Sequence, residues 1–124
     1  MSSEMPDYPD VVLGIVIVDC ADPERLAIFW GALLGRQINY REEPYVGLEW
    51  APRFGAGLVF QHVDEPKVGK NRVHTDIICS DVPATVKRVE DLGGKCALGY
   101  GTGRFVVMLD PEDNEFCLIP PPGS

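Results

Sequence analysis

The sequence predicts an α+β fold made of two consecutive strand–helix–strand–strand–strand units. Three observations carry this. Two amphipathic helices stand about 60 residues apart. Each follows a β-branched stretch and precedes three short extended pieces. A polar loop separates the two sets at the middle of the chain.

Residues 11–19 (VVLGIVIVD) are rich in β-branched side chains and are as long as a strand. Asp22-Pro23-Glu24 then opens a helix. Asp22 supplies a cap, Pro23 fits the first helical position, and Glu24 suits the positive end of the dipole. Leu26, Phe29, Trp30 and Leu33 recur at i, i+3, i+4 and i+7, one apolar stripe, and Gly35 is a C-cap. Extended pieces follow at 36–40, 45–50 and 57–63, with turns at Pro44 and at 52–55. The stretch 64–71 (DEPKVGKN) is the linker.

The order then repeats. Residues 72–79 read as a strand. Ser80 or Asp81 caps a helix with Val82, Val86 and Val89 on one face, and Leu92-Gly93-Gly94 stops it. Extended pieces are expected at 95–98, 104–109 and 115–119, with a turn at 110–114. Glycines 99, 101 and 103 mark a hairpin turn, and Pro120-Pro121-Pro122 cannot continue a ladder. Residues 1–10 read as a flexible arm, 11–120 as one domain (module one about 11–63, module two about 72–119) and 121–124 as a tail. Each sheet has one side covered by its helix. The bare sides are expected to face each other and enclose a groove, the default ligand site.

Size suits a single domain: 124 residues, 45% of them apolar. The formal charge of −8 repels phosphate backbones, so nucleic acid is not an expected partner. No apolar run approaches bilayer length, and the acidic, polar first ten residues do not resemble a secretory leader. The four cysteines (20, 79, 96, 117) are scattered singly, without metal-finger spacing. Those in apolar stretches read as buried thiols, and a cytoplasmic location is the expectation.

Three segments resemble the vicinal-oxygen-chelate superfamily of glyoxalase I, extradiol dioxygenases, epimerases, fosfomycin-resistance enzymes and bleomycin-binding proteins. They are Asp22-Pro23 through Phe29-Trp30 to Leu33-Leu34-Gly35, the run Lys70-Asn71-Arg72-Val73-His74-Thr75-Asp76, and Asp110-Pro111-Glu112-Asp113-Asn114-Glu115-Phe116-Cys117-Leu118. The last is similar to the family's D-P-x-G-N-x-x-x-L ending, with Asp113 where glycine is usual. The resemblance implies the glyoxalase/bleomycin-resistance/dioxygenase fold and often a homodimer. It leaves the chemistry open, because this fold hosts many activities.

In metal-dependent members the ligands come from the first and fourth strands of each half. Strand-to-strand matching puts them at Ile15, Gln61, His74 and Cys117. Ile15 has no lone pair. Gln61, His74 and Cys117 remain as ligands only if a metal such as Zn, Ni, Mn or Fe is present. The missing glutamate base argues against a glyoxalase I reaction. His74 is the candidate general base, its alternative being a histidine held by Asp76 or a carbonyl. Asp76 and Arg72 share its strand parity, and Trp50 is an aromatic candidate for the groove. Phe60 and Tyr45 are further aromatic candidates there.

The expected function is binding of a small organic molecule between the modules without the full ligand set. One alternative is a metal-dependent lyase, isomerase or dioxygenase with altered ligands. Another is a bleomycin-type antibiotic-binding protein.

Overall fold

In a computed structural model, the chain is described at residues 10, 12–97, 105–121 and 123. The arm at 1–9 and the stretch 98–104, with the whole glycine-rich turn and Arg104, lie outside the described residues.

Both halves have the anticipated order. The first runs β1 (Ile15–Cys20), α1 (Pro23–Leu34), β2 (Ile38–Glu42), β3 (Tyr45–Leu48) and β4 (Gly57–His62). The second runs β5 (Thr75–Ile78), α2 (Val82–Asp91), β6 (Lys95–Cys96), β7 (Val106–Leu109) and β8 (Glu115–Ile119). The sheet orders are β1-β4-β3-β2 and β5-β8-β7-β6, so the same topology occurs twice. In each sheet the outer strand pairs parallel to the fourth, and the other pairings are antiparallel.

Local chemistry explains the helix ends. The Asp22 carboxylate accepts from the Arg25 amide at 3.1 Å and that of Asp81 from the Ala84 amide at 3.0 Å. Gly35 closes α1 at φ +70°, where a side chain would be strained. Gly94 is required by space instead. A Cβ there would lie 2.6 Å from Val89 Cγ1 and 2.7 Å from the Leu109 carbonyl oxygen.

Some bounds differ from expectation. β1 starts at Ile15 and β5 at Thr75, later than the apolar patterns suggest. Residues 71–74 stay outside β5, and the Asn71 amide donates instead to the Glu115 carboxylate at 2.8 Å. The turn after β3 contains a short 3-10 helix, Pro52–Phe54.

The larger difference concerns the sides of the sheets. Within one chain the bare sides do not face each other. The helix-covered sides do, and they share one core. Leu26, Phe29 and Trp30 from α1 join Phe60 from β4, Val89 from α2, Met108 from β7, and Phe116 and Leu118 from β8 in a single buried cluster. Trp30 and Phe116 cross the boundary with ring centroids 4.7 Å apart, edge to face. The reason is volume. Four aromatic side chains on the helix sides, Phe29, Trp30, Phe60 and Phe116, bury more apolar area than the aliphatic side chains of the bare sides would. Ile15 (57%), Ile17 (51%) and Ile78 (58%) consequently stay exposed.

A polar contact fixes the same boundary. Asp110 is 2% exposed. Its carboxylate accepts from the Trp30 indole at 3.0 Å, the Glu112 amide at 2.8 Å and the Asn114 amide at 3.0 Å. The Asp-Pro-x-x-Asn turn is therefore a buried acceptor aimed at the first helix. Asp113, where glycine is usual in that motif, adopts φ +66°, a region aspartate tolerates better than most side chains.

No described helix is long and apolar enough to cross a membrane. Of the cysteines, Cys20 is buried, Cys79 and Cys117 are half-buried, and Cys96 is exposed. Burial, then nearby carboxylates led by Glu112, push the Cys20 thiol up to about 12.

Two outcomes follow. Asp110→Ala strands a buried indole N–H and two amides, and should lower stability by about 2–4 kcal/mol. A drop in the urea midpoint at unchanged slope checks it, and an unchanged midpoint would show that the turn does not hold the modules together. Iodoacetamide at pH 8 should label Cys96 first and Cys20 last in the folded protein, read by peptide mass mapping. Early labelling of Cys20 would contradict its burial.

Candidate ligand-binding site

Strand alternation assigns the two sides of sheet one. Val16, Val18 and Cys20 of β1 lie opposite Leu58, Phe60 and His62 of β4. Val18, Cys20, Leu58 and Phe60 pack with the core, so they share the helix side. Ile15, Ile17 and Asp19 point the other way, beside Gly57, Val59 and Gln61. In sheet two Ile77 packs with the core, which puts Asp76 and Ile78 on the bare side.

Between the modules lies a cavity of about 850 Å³, bordered by the outer strands β1 and β5. Its walls include Val18, Leu34, Leu58, Phe60 and Ile77, with Trp30 also in the lining. Both modules thus contribute apolar surface. Pro66, Lys67, Asn71 and Arg72 of the linker line it as well, as do Glu112 and Glu115 from the second module. The cavity's polar lining also includes Arg36, just past the end of α1.

Most carboxylates in the lining are already engaged. Glu112 accepts from the amides of Ala21 at 2.8 Å and Asp22 at 2.7 Å, which ties the second module to the entry of α1. Asp110 is held as described above. At Glu115 burial acts against ionisation. The Asn71 amide, the residue's own backbone amide and the Lys67 ammonium at 3.7 Å outweigh it, keeping the carboxyl below the usual range. These groups brace the walls, whereas Asp19 and Glu65, also in the lining, take part in no ion pair among the described residues.

The residues expected in the site fall in three places. Arg72 lines the cavity, and so does Phe60, which is fully buried. Gln61, His74, Asp76 and Cys117 are absent from its lining. Gln61 is opposite Asp19 and Tyr45, and Cys117 is opposite Asp76 and Val107. Both pairs sit on bare sides. Burial first, then Asp76, raises the Cys117 thiol above its usual value. Trp50 is exposed past the end of β3, its indole donating to the Gly55 carbonyl. Ile15 pairs with Gly57, four residues before Gln61 on β4. That is about 13 Å along a strand, so Ile15 and Gln61 do not share one coordination shell.

Among the described residues no three His, Cys, Asp or Glu side chains gather closely enough to hold a divalent ion. On sheet one, Ile15, Ile17, Gly57 and Val59 carry no ligand atom in their side chains. Sequence reasoning missed Arg36, Glu112, Pro66 and Lys67, because most of the wall is built from the helix sides, with Ile17 and Asp19 of β1 at its margin. Arg36 carried one faint signal, a cation directly after a C-cap glycine.

A family model described as a glyoxalase-like domain matches residues 15–119. No curated protein matches the chain in sequence. Among solved structures, a glyoxalase/bleomycin resistance protein/dioxygenase family enzyme from Burkholderia phytofirmans PsJN is 16% identical. It covers 89% of this chain and 98% of its own, with TM-score 0.75. A glyoxalase/bleomycin resistance protein from Albidiferax ferrireducens T118 is 17% identical, covering 88% and 98%, with TM-score 0.67. A possible glyoxalase from Bacillus cereus is 12% identical, covering 90% and 99%, also with TM-score 0.67. At these identities the likeness is one of fold. The family model spans everything from the first residue of β1 to the last of β8. With the doubled topology, it establishes that this chain belongs to the glyoxalase-like domain family of the vicinal-oxygen-chelate superfamily.

Proposed function

We propose that this protein binds a small organic molecule in the cavity between its two modules, without a chelated metal. The observation that carries the reading is the cavity itself. Its volume of about 850 Å³ falls in the range typical of small-molecule sites. Apolar walls from both modules supply the affinity, and a few polar groups at the linker and after α1 supply orientation. The scattered donors on the bare sides support the metal-free part of the reading.

The bare sides have a separate role in this proposal. Ile15, Ile17, Tyr40 and Ile78 are each about half exposed on the bare sides of the two sheets, among the described residues. Half-exposed aliphatic rows on sheets invite a partner. A second copy of the chain carries the same two bare sides, so two copies can cover each other by a self-complementary contact. The protein is accordingly proposed to be a homodimer.

Three measurements test this. The neutral dye Nile red should show saturable fluorescence with the wild type. Leu58→Trp, which fills the wall, should weaken its binding at least tenfold while circular dichroism stays native. His74→Ala should leave it unchanged. Equal binding by a folded Leu58→Trp would place the dye elsewhere. Elemental analysis should find far less than one metal ion per chain. Stoichiometric Zn, Ni, Mn or Fe that disappears in His74→Ala would instead favour the lyase, isomerase or dioxygenase alternative. Sedimentation equilibrium should give twice the 13.6 kDa chain mass, falling toward one chain in Ile15→Glu. A monomeric wild type at micromolar concentration would remove the dimer.

A further inference from the structure

The cations facing the cavity share its lining with the carboxylates of Asp19, Glu65, Asp110, Glu112 and Glu115, and they are unequal in how they are satisfied. Lys67 is paired with Glu115 and also donates to the Gly69 carbonyl. Arg72 is exposed, so water solvates its charge. Arg36 is different. It is partly buried, and none of the ion pairs among the described residues includes it.

Its guanidinium is held by neutral groups. One terminal nitrogen donates to the Phe54 carbonyl at 2.9 Å and the other to that of Ala56 at 3.4 Å. Its Nε is buried without an acceptor. Of the five N–H bonds of a guanidinium, two on the terminal nitrogens remain uncommitted. The group lies 4.5 Å from the centroid of the Phe54 ring, and the Arg53 guanidinium lies at the same distance from that ring. Two cations thus share one aromatic ring, in a chain whose net charge is −8. The nearest influential carboxylate, Glu49, accepts from the Gln37 amide at 3.0 Å and forms no ion pair with Arg36. Burial draws the Arg36 pKa below the usual arginine value, partly offset by Glu49. That direction accords with a desolvated and uncompensated cation.

A partly buried cation held only by neutral groups gains from an anion that reaches it. Arg36 shares the cavity lining with Leu34 and Leu58. We propose that Arg36 is the anchor for a carboxylate, and that the cavity takes an organic acid with an apolar body. The planar fork suits the two oxygens of a carboxylate. The apolar walls then take the rest of the molecule. This inference rests on the cavity's being the ligand site, and it adds the chemical class of the ligand.

The test is a matched pair, 4-phenylbutanoate and 4-phenylbutanamide, each displacing Nile red at pH 7. The acid should bind roughly ten- to hundredfold tighter than the amide, the range of a charge-assisted hydrogen-bonded contact. Arg36→Gln should erase the preference. Arg36→Lys should retain part of it, and Arg72→Gln nearly all of it. If Arg36→Gln fails to fold, the wild-type ratio and Arg36→Lys still decide. An amide that binds as well as the acid in the wild type overturns the inference while leaving the cavity as a ligand site. A preference that survives in folded Arg36→Gln overturns it too. If neither compound displaces the dye and the dye itself does not saturate, the reading of the cavity falls with it.

Discussion

The structure depends on which sides of its two sheets face each other. Trp30 and Phe29 of α1 meet Phe116 of β8 across the module boundary, with centroids 4.7 and 6.2 Å apart. The buried Asp110 receives the Trp30 indole at the same place. A rigid aromatic contact with a satisfied polar group at its edge leaves little choice of orientation. Once that contact forms, the helix sides turn inward and the bare sides turn out. The cavity and the exposed isoleucine rows are two consequences of one packing decision.

The cavity exists because the helices do not cover the whole inner side. α1 lies over β3 and β4, and α2 over β6, β7 and β8. The outer strands β1 and β5 keep part of their helix sides uncovered, and the gap between them is lined by Val18 and Ile77. The linker and the 110–114 turn close one end, braced by Glu112 on the start of α1 and Glu115 on Asn71. At the other end Arg36 follows the α1 cap and rests on the 3-10 turn. Apolar walls and a cation held by neutral groups come from separate local rules that meet at one place.

Much of the fold was legible in the sequence because its signals are local. The caps Asp22 and Asp81, the stop at Gly35, and the stripe Leu26, Phe29, Trp30 and Leu33 each act within a few residues. The site was less legible because it depends on parity and on long-range packing. A strand's alternation says that Val16 and Ile17 differ, but not which of them faces the other module. Matching strands to the family pattern also put Ile15 and Gln61 in one ligand set, whereas the parallel ladder sets Ile15 against Gly57 and Gln61 against Asp19. Parity from His74 back to Arg72 failed for a simpler reason: β5 begins only at Thr75. Arg36 had only its place after the cap glycine to mark it. Its significance comes from the absence of a carboxylate partner, which no sequence pattern reports.

The central claim is that ligand enters between the helix sides rather than on the bare sides. Methyl-labelled protein titrated with 4-phenylbutanoate and followed by nuclear magnetic resonance tests it directly. Saturable shifts should concentrate on the methyls of Val18, Leu58 and Ile77. Shifts confined to Ile15 and Ile78, with those inner methyls unmoved, would contradict it.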